Sequence, residues 1–271
     1  MLRLASPNRD AIRARLPLRA PGALSVPAGT RLLFLCFTNR SGSNYLGNVL
    51  AASGLTHNAE EYFNADPVID TCASHRLASF QHYFSHVVRT RSRRGTFLAK
   101  VAAEHLALLV QSGILDQLLP VAHFIVIERA DKLAQAISLS IAEQTQQWAW
   151  YLPSVIAENE LRFSERRIAE LIDVITEQEQ ATWRFLGLNG IVPLAIKYEI
   201  LIQSPQMAVD RITDHLGLPR AVIDLSRIEL RKQATAINEL WRERFLQADA
   251  NRPANASTGL SALLPGFADR G

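Results

Sequence analysis

Apolar and polar positions along the chain alternate between strand-sized apolar runs and stretches of helical periodicity. The first run, Leu32 to Phe37, spans six residues without a charge, as expected of a central strand covered on both faces. Thr38, Asn39, Arg40, Ser41, Gly42, Ser43 and Asn44 interrupt it, and Tyr45, Leu46, Val49 and Leu50 resume at helical spacing. The same unit recurs. Thr96 to Val101 reads as a second inner strand followed by a helix through Val110. Ala122 to Arg129 reads as a third strand, running into the N-cap candidate Asp131 and a helix through Leu133, Ile137 and Ile141. Between the first two units, residues 66 to 88 read as an irregular helical region.

Later in the chain, Ile168, Leu171, Ile172, Ile175, Phe185 and Leu186 keep a helical period until Asn189-Gly190 stops it. Ile191 to Tyr198 make a fourth strand, Ser204-Pro205 opens a helix that Gly217 ends, and residues 226 to 249 form a last long helix. This order predicts an α/β fold, a three-layer sandwich with a central parallel sheet and a ligand site at the carboxyl ends of its strands.

Composition adds boundaries. The chain has 271 residues and is 48% hydrophobic, enough for one large core, placed here at residues 31–250. Residues 1–30 are expected to form a loosely packed leader, because Pro17, Pro21, Gly22, Pro27 and Gly29 break any element. Its Arg3, Arg9, Arg13, Arg15 and Arg19 precede no apolar segment, which argues against a secretory signal and leaves a mobile basic leader or a targeting arm. Residues 251–271 read as a polar tail. No apolar run approaches the roughly 18 residues of a membrane span, so a soluble protein is expected. The two cysteines, Cys36 and Cys72, argue against a disulfide framework and for a reducing, cytoplasmic compartment.

The net charge of +3 comes almost wholly from arginine, since Lys100, Lys132, Lys197 and Lys232 are the only lysines. Guanidinium forks suit phosphate and sulfate, although genome composition produces the same bias. The densest cluster is Arg89, Arg91, Arg93 and Arg94. Either it is a solvated loop or it contacts an anionic ligand or membrane surface. Nucleic acid is not expected as a partner, because aromatic residues do not interleave with the basic ones.

The loop Arg40 to Tyr45 has the outline of an anion cradle. Helix N-terminal N–H groups meet the carboxyl end of a strand, Gly42 permits close approach, Ser41, Ser43 and Asn44 offer donors, and Arg40 supplies charge. It lacks the first glycine and the lysine of a Walker A loop. The plainer alternative is a strand-to-helix turn with a serine cap. Glu60 and Glu61 precede Tyr62 and Phe63. Adjacent carboxylates repel, so one of them is expected to have a raised pKa. Lys100 either faces a site or marks a strand edge, and Trp148 and Trp150 either line a sugar-binding face or belong to core. The seven histidines show no metal spacing, and no metal is expected.

The runs FLCFTNRSGSNYLGNVLAASG, EEYFN, FIVIERADKLAQAISLSIAEQTQQW and IKYEILIQSPQMAVDRITDHLGLP, in that order over about residues 31 to 245, resemble the bacterial trehalose 2-sulfotransferase family and related lipopolysaccharide sulfotransferases. The resemblance implies a P-loop nucleotide kinase-like fold and transfer of a sulfuryl group from 3′-phosphoadenosine 5′-phosphosulfate (PAPS) to a hydroxyl of a carbohydrate or glycolipid. It implies that Arg40, Ser41, Gly42, Ser43, Asn44 and Tyr45 form the 5′-phosphosulfate loop, with Arg40 where other sulfotransferases have lysine. Arg129 and Ser138 would bind the 3′-phosphate, and Glu61 would be the general base. Arg231 and Lys232 resemble only loosely the late basic residues of sulfotransferases. Acceptor identity would be encoded in residues 64 to 95 and 148 to 167. Two rivals remain: a magnesium-dependent kinase or NTPase using Glu128, and a catalytically silent binding protein. Oligomeric state, including a homodimer, stays open.

Overall fold

The computed structural model describes residues 6–149, 152–228 and 236–250. In chain order the elements are α1 (Pro7–Arg15), β1 (Arg31–Cys36), α2 (Ser43–Ala52), α3 (Ala65–His75), α4 (Phe80–Arg91), β2 (Thr96–Val101), α5 (Ala103–Gln111) and α6 (Ile114–Leu118). There follow β3 (Ala122–Glu128), α7 (Lys132–Thr145), α8 (Glu165–Leu188), β4 (Leu194–Lys197), α9 (Tyr198–Gln203), α10 (Pro205–His215) and α11 (Ala236–Ala250). All strand pairs are parallel, in the order β2-β1-β3-β4.

The apolar run of β1 is central because both of its faces are buried. Leu32, Phe34 and Cys36 join one cluster with side chains of α3, α4 and α5, while Leu33 and Leu35 join another with α2 and α10. Register keeps the faces consistent: Phe34 lies beside Ala99 and Phe124, and Leu35 beside Lys100 and Ile125. Three layers result, as the sequence predicts. A third cluster joins α7, α8 and α11 around Ala136, Ile168 and Trp241.

The chain leaves β1 toward β2 on one side and leaves β3 toward β4 on the other. The crevice outside the carboxyl ends of β1 and β3 is therefore the topological switch point, where open α/β sheets bind ligands.

Several boundaries differ from expectation. The region 66–88 is two regular helices, α3 and α4, separated by Arg76 in a left-handed conformation at φ 54°. The fourth strand covers only Leu194–Lys197, because Tyr198 already begins α9. Leu225–Arg227 form a 3-10 turn where the last long helix was expected to open, and that helix is described over Ala236–Ala250. Leader residues 6 to 30 are built into the body instead of packing loosely. Ile12 is fully buried in the core, worth about 1.5–3 kcal/mol by apolar burial. Pro17 accepts a hydrogen bond from the Phe80 N–H, the Ala20 N–H donates to Gln81, and Arg19 donates to the Gln111 carbonyl. Arg89, Arg91 and Arg94 are exposed at the end of α4 and in the turn into β2, and Arg93 is half-buried. Residues 1–5, Trp150, Arg231, Lys232 and the tail from 251 lie outside the described residues.

Candidate functional site

At the switch point the chain turns sharply from β1 into α2. The Ser41 N–H donates to the Thr38 carbonyl at 3.2 Å, and Arg40 and Gly42 both adopt left-handed backbone, at φ 63° and 96°. Gly42 is required twice over. Its φ disfavours any side chain, and a Cβ there would lie 2.4 Å from the Tyr198 ring. No side chain caps α2 at Gly42 and no acid lies in its first turn, so its N-terminal N–H groups and dipole face a cavity of about 890 Å³. Gly42, Ser43, Asn44 and Tyr45 line that cavity. Ser41 lies behind the wall, wholly buried with its Oγ unpartnered.

The opposite wall comes from β3 and α7. Arg129 leaves the end of β3 with its guanidinium 5.0 Å from the centre of the Tyr198 ring. Asp131 then caps α7 by accepting from the Ala134 N–H and pairs at 2.7 Å with Arg242 of α11. From α7, buried Gln135 donates to Thr38 Oγ1 and to the Asn39 carbonyl, tying the loop to the helix. Arg40 Nε donates to Ser138 Oγ at 2.9 Å, and its Nη1 donates to the Trp148 carbonyl at 3.2 Å. Burial and the nearby Arg129 charge both lower the Arg40 pKa. Two guanidinium groups held toward one cavity form a site that a bound anion would relieve. The sequence resemblance couples Ser138 to Arg129; in this structure Ser138 bonds Arg40, while Arg129 packs on Tyr198.

The third side carries the carboxylate. Glu60 bridges Ala99 at the open edge of β2, and its carbonyl accepts from the Lys100 N–H at 3.0 Å. This clamp delivers Glu61 to the carboxyl end of β2. There Glu61 Oε1 lies 2.7 Å from Lys100 Nζ, and Oε2 accepts from Asn64 at 3.2 Å. Lys100 also donates to Asn44 Oδ1 at 2.6 Å and lies 5.0 Å from the centre of the Phe37 ring. Burial alone would raise the Glu61 pKa, but the Lys100 charge and hydrogen bonds from Lys100 and Asn64 outweigh it and hold the pKa below its ordinary value. The expectation of a raised pKa is therefore not met at Glu61.

A second cavity, of about 830 Å³, adjoins the first along Phe37, Asn39, Glu61 and Trp148. Glu61 lies on the boundary between the two. Trp148 is 39% exposed and lines both, so it is a wall residue rather than core. Glu128, the acid that a kinase reading would use, faces elsewhere: its carboxylate is held by Trp183 at 2.6 Å and by Lys197 at 2.5 Å. Among the described residues no group of three or more His, Cys, Asp or Glu is placed to hold a metal. No described helix is long and apolar enough to cross a membrane.

Sequence reasoning did not single out Tyr198 or Gly47. Tyr198 directly follows the last strand, and in a parallel sheet that position alone marks a residue for the ligand face. Gly47 has no such signal. It lets the segment carrying Glu61 pack on α2, since a Cβ would fall 2.7 Å from that of Ala59. Lys100 is the one charge in β2 and stands next to its last residue, which left its two readings balanced. The structure places it in the site, with a side chain 6% exposed.

A stretch of 129 residues, 48% of this chain, is 26% identical to the trehalose 2-sulfotransferase of Mycobacterium tuberculosis (strain ATCC 35801 / TMC 107 / Erdman); the match spans 47% of that protein, about half its length. Among solved structures, similarity extends to the sulfotransferase domain from the curacin biosynthetic pathway, with a TM-score of 0.45, 14% identity, and coverage of 80% of this chain and 83% of that one. It also extends to mouse sulfotransferase SULT7A1 complexed with PAP, with a TM-score of 0.41, 14% identity, and coverage of 84% and 69%. The assignment itself rests on the sequence family described as Stf0 sulphotransferase, which matches residues 33–248. With most of its length matched, the chain belongs to the Stf0 sulphotransferase family.

Proposed function

We propose that this protein is a sulfotransferase that uses PAPS to sulfonate a hydroxyl of a carbohydrate or glycolipid acceptor in a reducing, cytoplasmic setting. One observation carries the reading. An uncapped helix N-terminus with Arg40 and a second cationic corner at Arg129 face the same cavity at the switch point, and a carboxylate paired with a buried lysine stands at its side. Two anion-binding corners on neighbouring strands suit a nucleotide that is phosphorylated at two positions. The residues fit the donor: Gly42 leaves space that a Cβ would fill, and Arg40, Lys100 and Arg129 all lie on the wall.

In this reading the donor supplies the sulfuryl group. The acceptor oxygen forms a bond to sulfur as the bond from sulfur to the phosphate oxygen breaks. Glu61 takes the acceptor proton, as a carboxylate within hydrogen-bond reach can. Arg40 and the N–H groups of α2 stabilise the negative charge that develops on the departing oxygen. Lys100 holds Glu61 ionised and links it, through Asn44, to the first turn of α2.

Calorimetric titration with adenosine 3′,5′-bisphosphate, AMP and ATP, with and without magnesium, tests the reading. Metal-independent binding of the bisphosphate is expected. Preference for ATP with magnesium would overturn it.

A further inference from the structure

Between the end of β3 and Asp131, the cap of α7, the chain has only Arg129 and Ala130. Ala130 is exposed, where water alone would satisfy the backbone groups of such a link. Charged side chains hold them instead. The Ala130 N–H donates to Glu199 Oε1 of α9 at 3.0 Å, and the Arg129 carbonyl accepts from Lys132 Nζ at 2.6 Å. Lys132 is in turn held by Glu179 of α8 at 2.6 Å. The amide that follows Arg129 is therefore gripped at both of its polar atoms, from two different helices. The residue before it is anchored as well: the Trp183 indole N–H donates to Glu128 Oε1 at 2.6 Å, and Trp183 lies four positions after Glu179, on the same face of α8.

The same contacts engage the carboxylates around Arg129. Glu128 binds Trp183 and Lys197, Asp131 binds the Ala134 N–H and Arg242, Glu179 binds Lys132, and Glu199 binds the Ala130 N–H. Among the described residues none forms an ion pair with Arg129, whose guanidinium packs on the Tyr198 ring and lines the cavity of the anion cradle. Lys132, Glu179 and Glu199 line neither cavity. Any effect they have on a ligand there passes through Arg129.

We propose that Glu199 and the Lys132–Glu179 pair are positioning residues: they clamp the Arg129–Ala130 amide so that the guanidinium stands ready for the phosphate that tells a doubly phosphorylated nucleotide from a singly phosphorylated one. The proposal rests on the sulfuryl-transfer reading, in which Arg129 meets that phosphate. A long side chain loses rotamer freedom when it binds an anion. Fixing the backbone at its root, and stacking its far end on Tyr198, removes part of that loss before the ligand arrives. Occupying the nearby carboxylates matters equally, because an ion pair with any of them would have to break before an external anion could bind. Glu199 serves here as a hydrogen-bond acceptor rather than as a charge, so an amide with the same reach can take its place.

The test is calorimetric titration of the full chain and its variants with adenosine 3′,5′-bisphosphate and with AMP, which differ only in the 3′-phosphate. Glu199→Ala should weaken the bisphosphate by about tenfold and AMP far less, and Lys132→Met should do the same from the other side of the amide. Glu199→Gln keeps an acceptor for the Ala130 N–H and should restore the preference. In an Arg129→Ala background, Glu199→Ala should weaken the bisphosphate no further. Should Glu199→Ala fail to fold, Lys132→Met, alone and combined with Arg129→Ala, decides. Equal losses for both nucleotides, a full effect in the Arg129→Ala background, or a Glu199→Gln no better than Glu199→Ala would each overturn the proposal. A bisphosphate preference that every clamp variant keeps would overturn it and leave the donor reading standing. No preference in the unaltered protein would strike the donor reading itself, and the clamp with it.

Discussion

Lys100 Nζ lies 2.7 Å from Glu61 Oε1, a buried ammonium against a carboxylate that is about one-third exposed, with side-chain exposures of 6% and 34%. The pair couples the strand end to the segment beside it, and it sets the charge on the group that would accept a proton.

Glu61→Gln keeps the shape and removes the base. Activity should fall by about 10²–10⁴ in kcat while adenosine 3′,5′-bisphosphate binds as before. Steady-state rates beside calorimetry check this. Linkage gives a second readout. The folded pKa of Glu61 lies below its ordinary 4.5, so its ionised form stabilises the fold above pH 4.5 and that contribution is lost as pH falls through the folded pKa. Melting curves of the two proteins should therefore differ most above pH 4.5 and converge in stronger acid.

Lys100→Met removes the cation that outweighs burial at Glu61. The acid limb of the pH-rate profile should shift to higher pH, and kcat should drop by about 10²–10³ if the ammonium also stabilises charge in the transition state. An unmoved acid limb would show that Glu61 does not control it.

Gly42→Ala forces a side chain onto a backbone at φ 96° and into the Tyr198 ring. Overpacking of this kind costs about 1–3 kcal/mol, with backbone strain of about 1–2 kcal/mol added. A lowered melting temperature and loss of bisphosphate binding are expected together. Gly47→Ala should behave differently, because it presses on Ala59, next to the segment that carries Glu61. There the turnover rate should fall more than nucleotide affinity.

Arg129→Ala and Ser138→Ala probe different cationic corners, because Ser138 bonds Arg40 while Arg129 packs on Tyr198. Arg129→Ala should weaken adenosine 3′,5′-bisphosphate by about tenfold to a hundredfold and leave AMP affected far less. Ser138→Ala also removes the acceptor of the Arg40 Nε–H, so it should weaken both nucleotides. Titrations of each variant with each nucleotide distinguish the outcomes.

Both cysteines are free and buried, and burial pushes the Cys36 thiol up to about 12 and the Cys72 thiol up to about 11. Native protein at mildly alkaline pH should resist alkylation, because the thiolate is the reactive form. Denatured protein should take two labels per chain, read by intact mass.

The layer order and the switch-point loop were legible because they depend on local pattern. Leu32 to Phe37 has one plausible fate, and Gly42 beside Arg40 marks a turn that needs special backbone. The Glu61 segment was legible only by resemblance. Its placement depends on the Glu60 carbonyl pairing with the Lys100 N–H on β2, a contact between backbone groups that no side-chain pattern announces. The role of Tyr198 depends on the shortness of β4. The leader was misjudged for a related reason. Its prolines and glycines forbid long elements but do not forbid packing, and α1 with Ile12 occupies a groove that exists only once α3 and α5 are in place.

That strap orders the assembly of the chain in time. Arg19 meets the carbonyl of Gln111, 92 positions later, so the arm is synthesised long before its seat. At ~5–20 residues per second the ribosome takes several seconds to close that interval. Over it the partners of the arm emerge in turn, Phe80 and Gln81 of α4 first and Gln111 at the end of α5 last, so its seat is complete only when α5 has been made. Docking of the arm is thus a late event of high contact order, and the wall that Asn8 contributes to the second cavity is finished after the sheet beneath it.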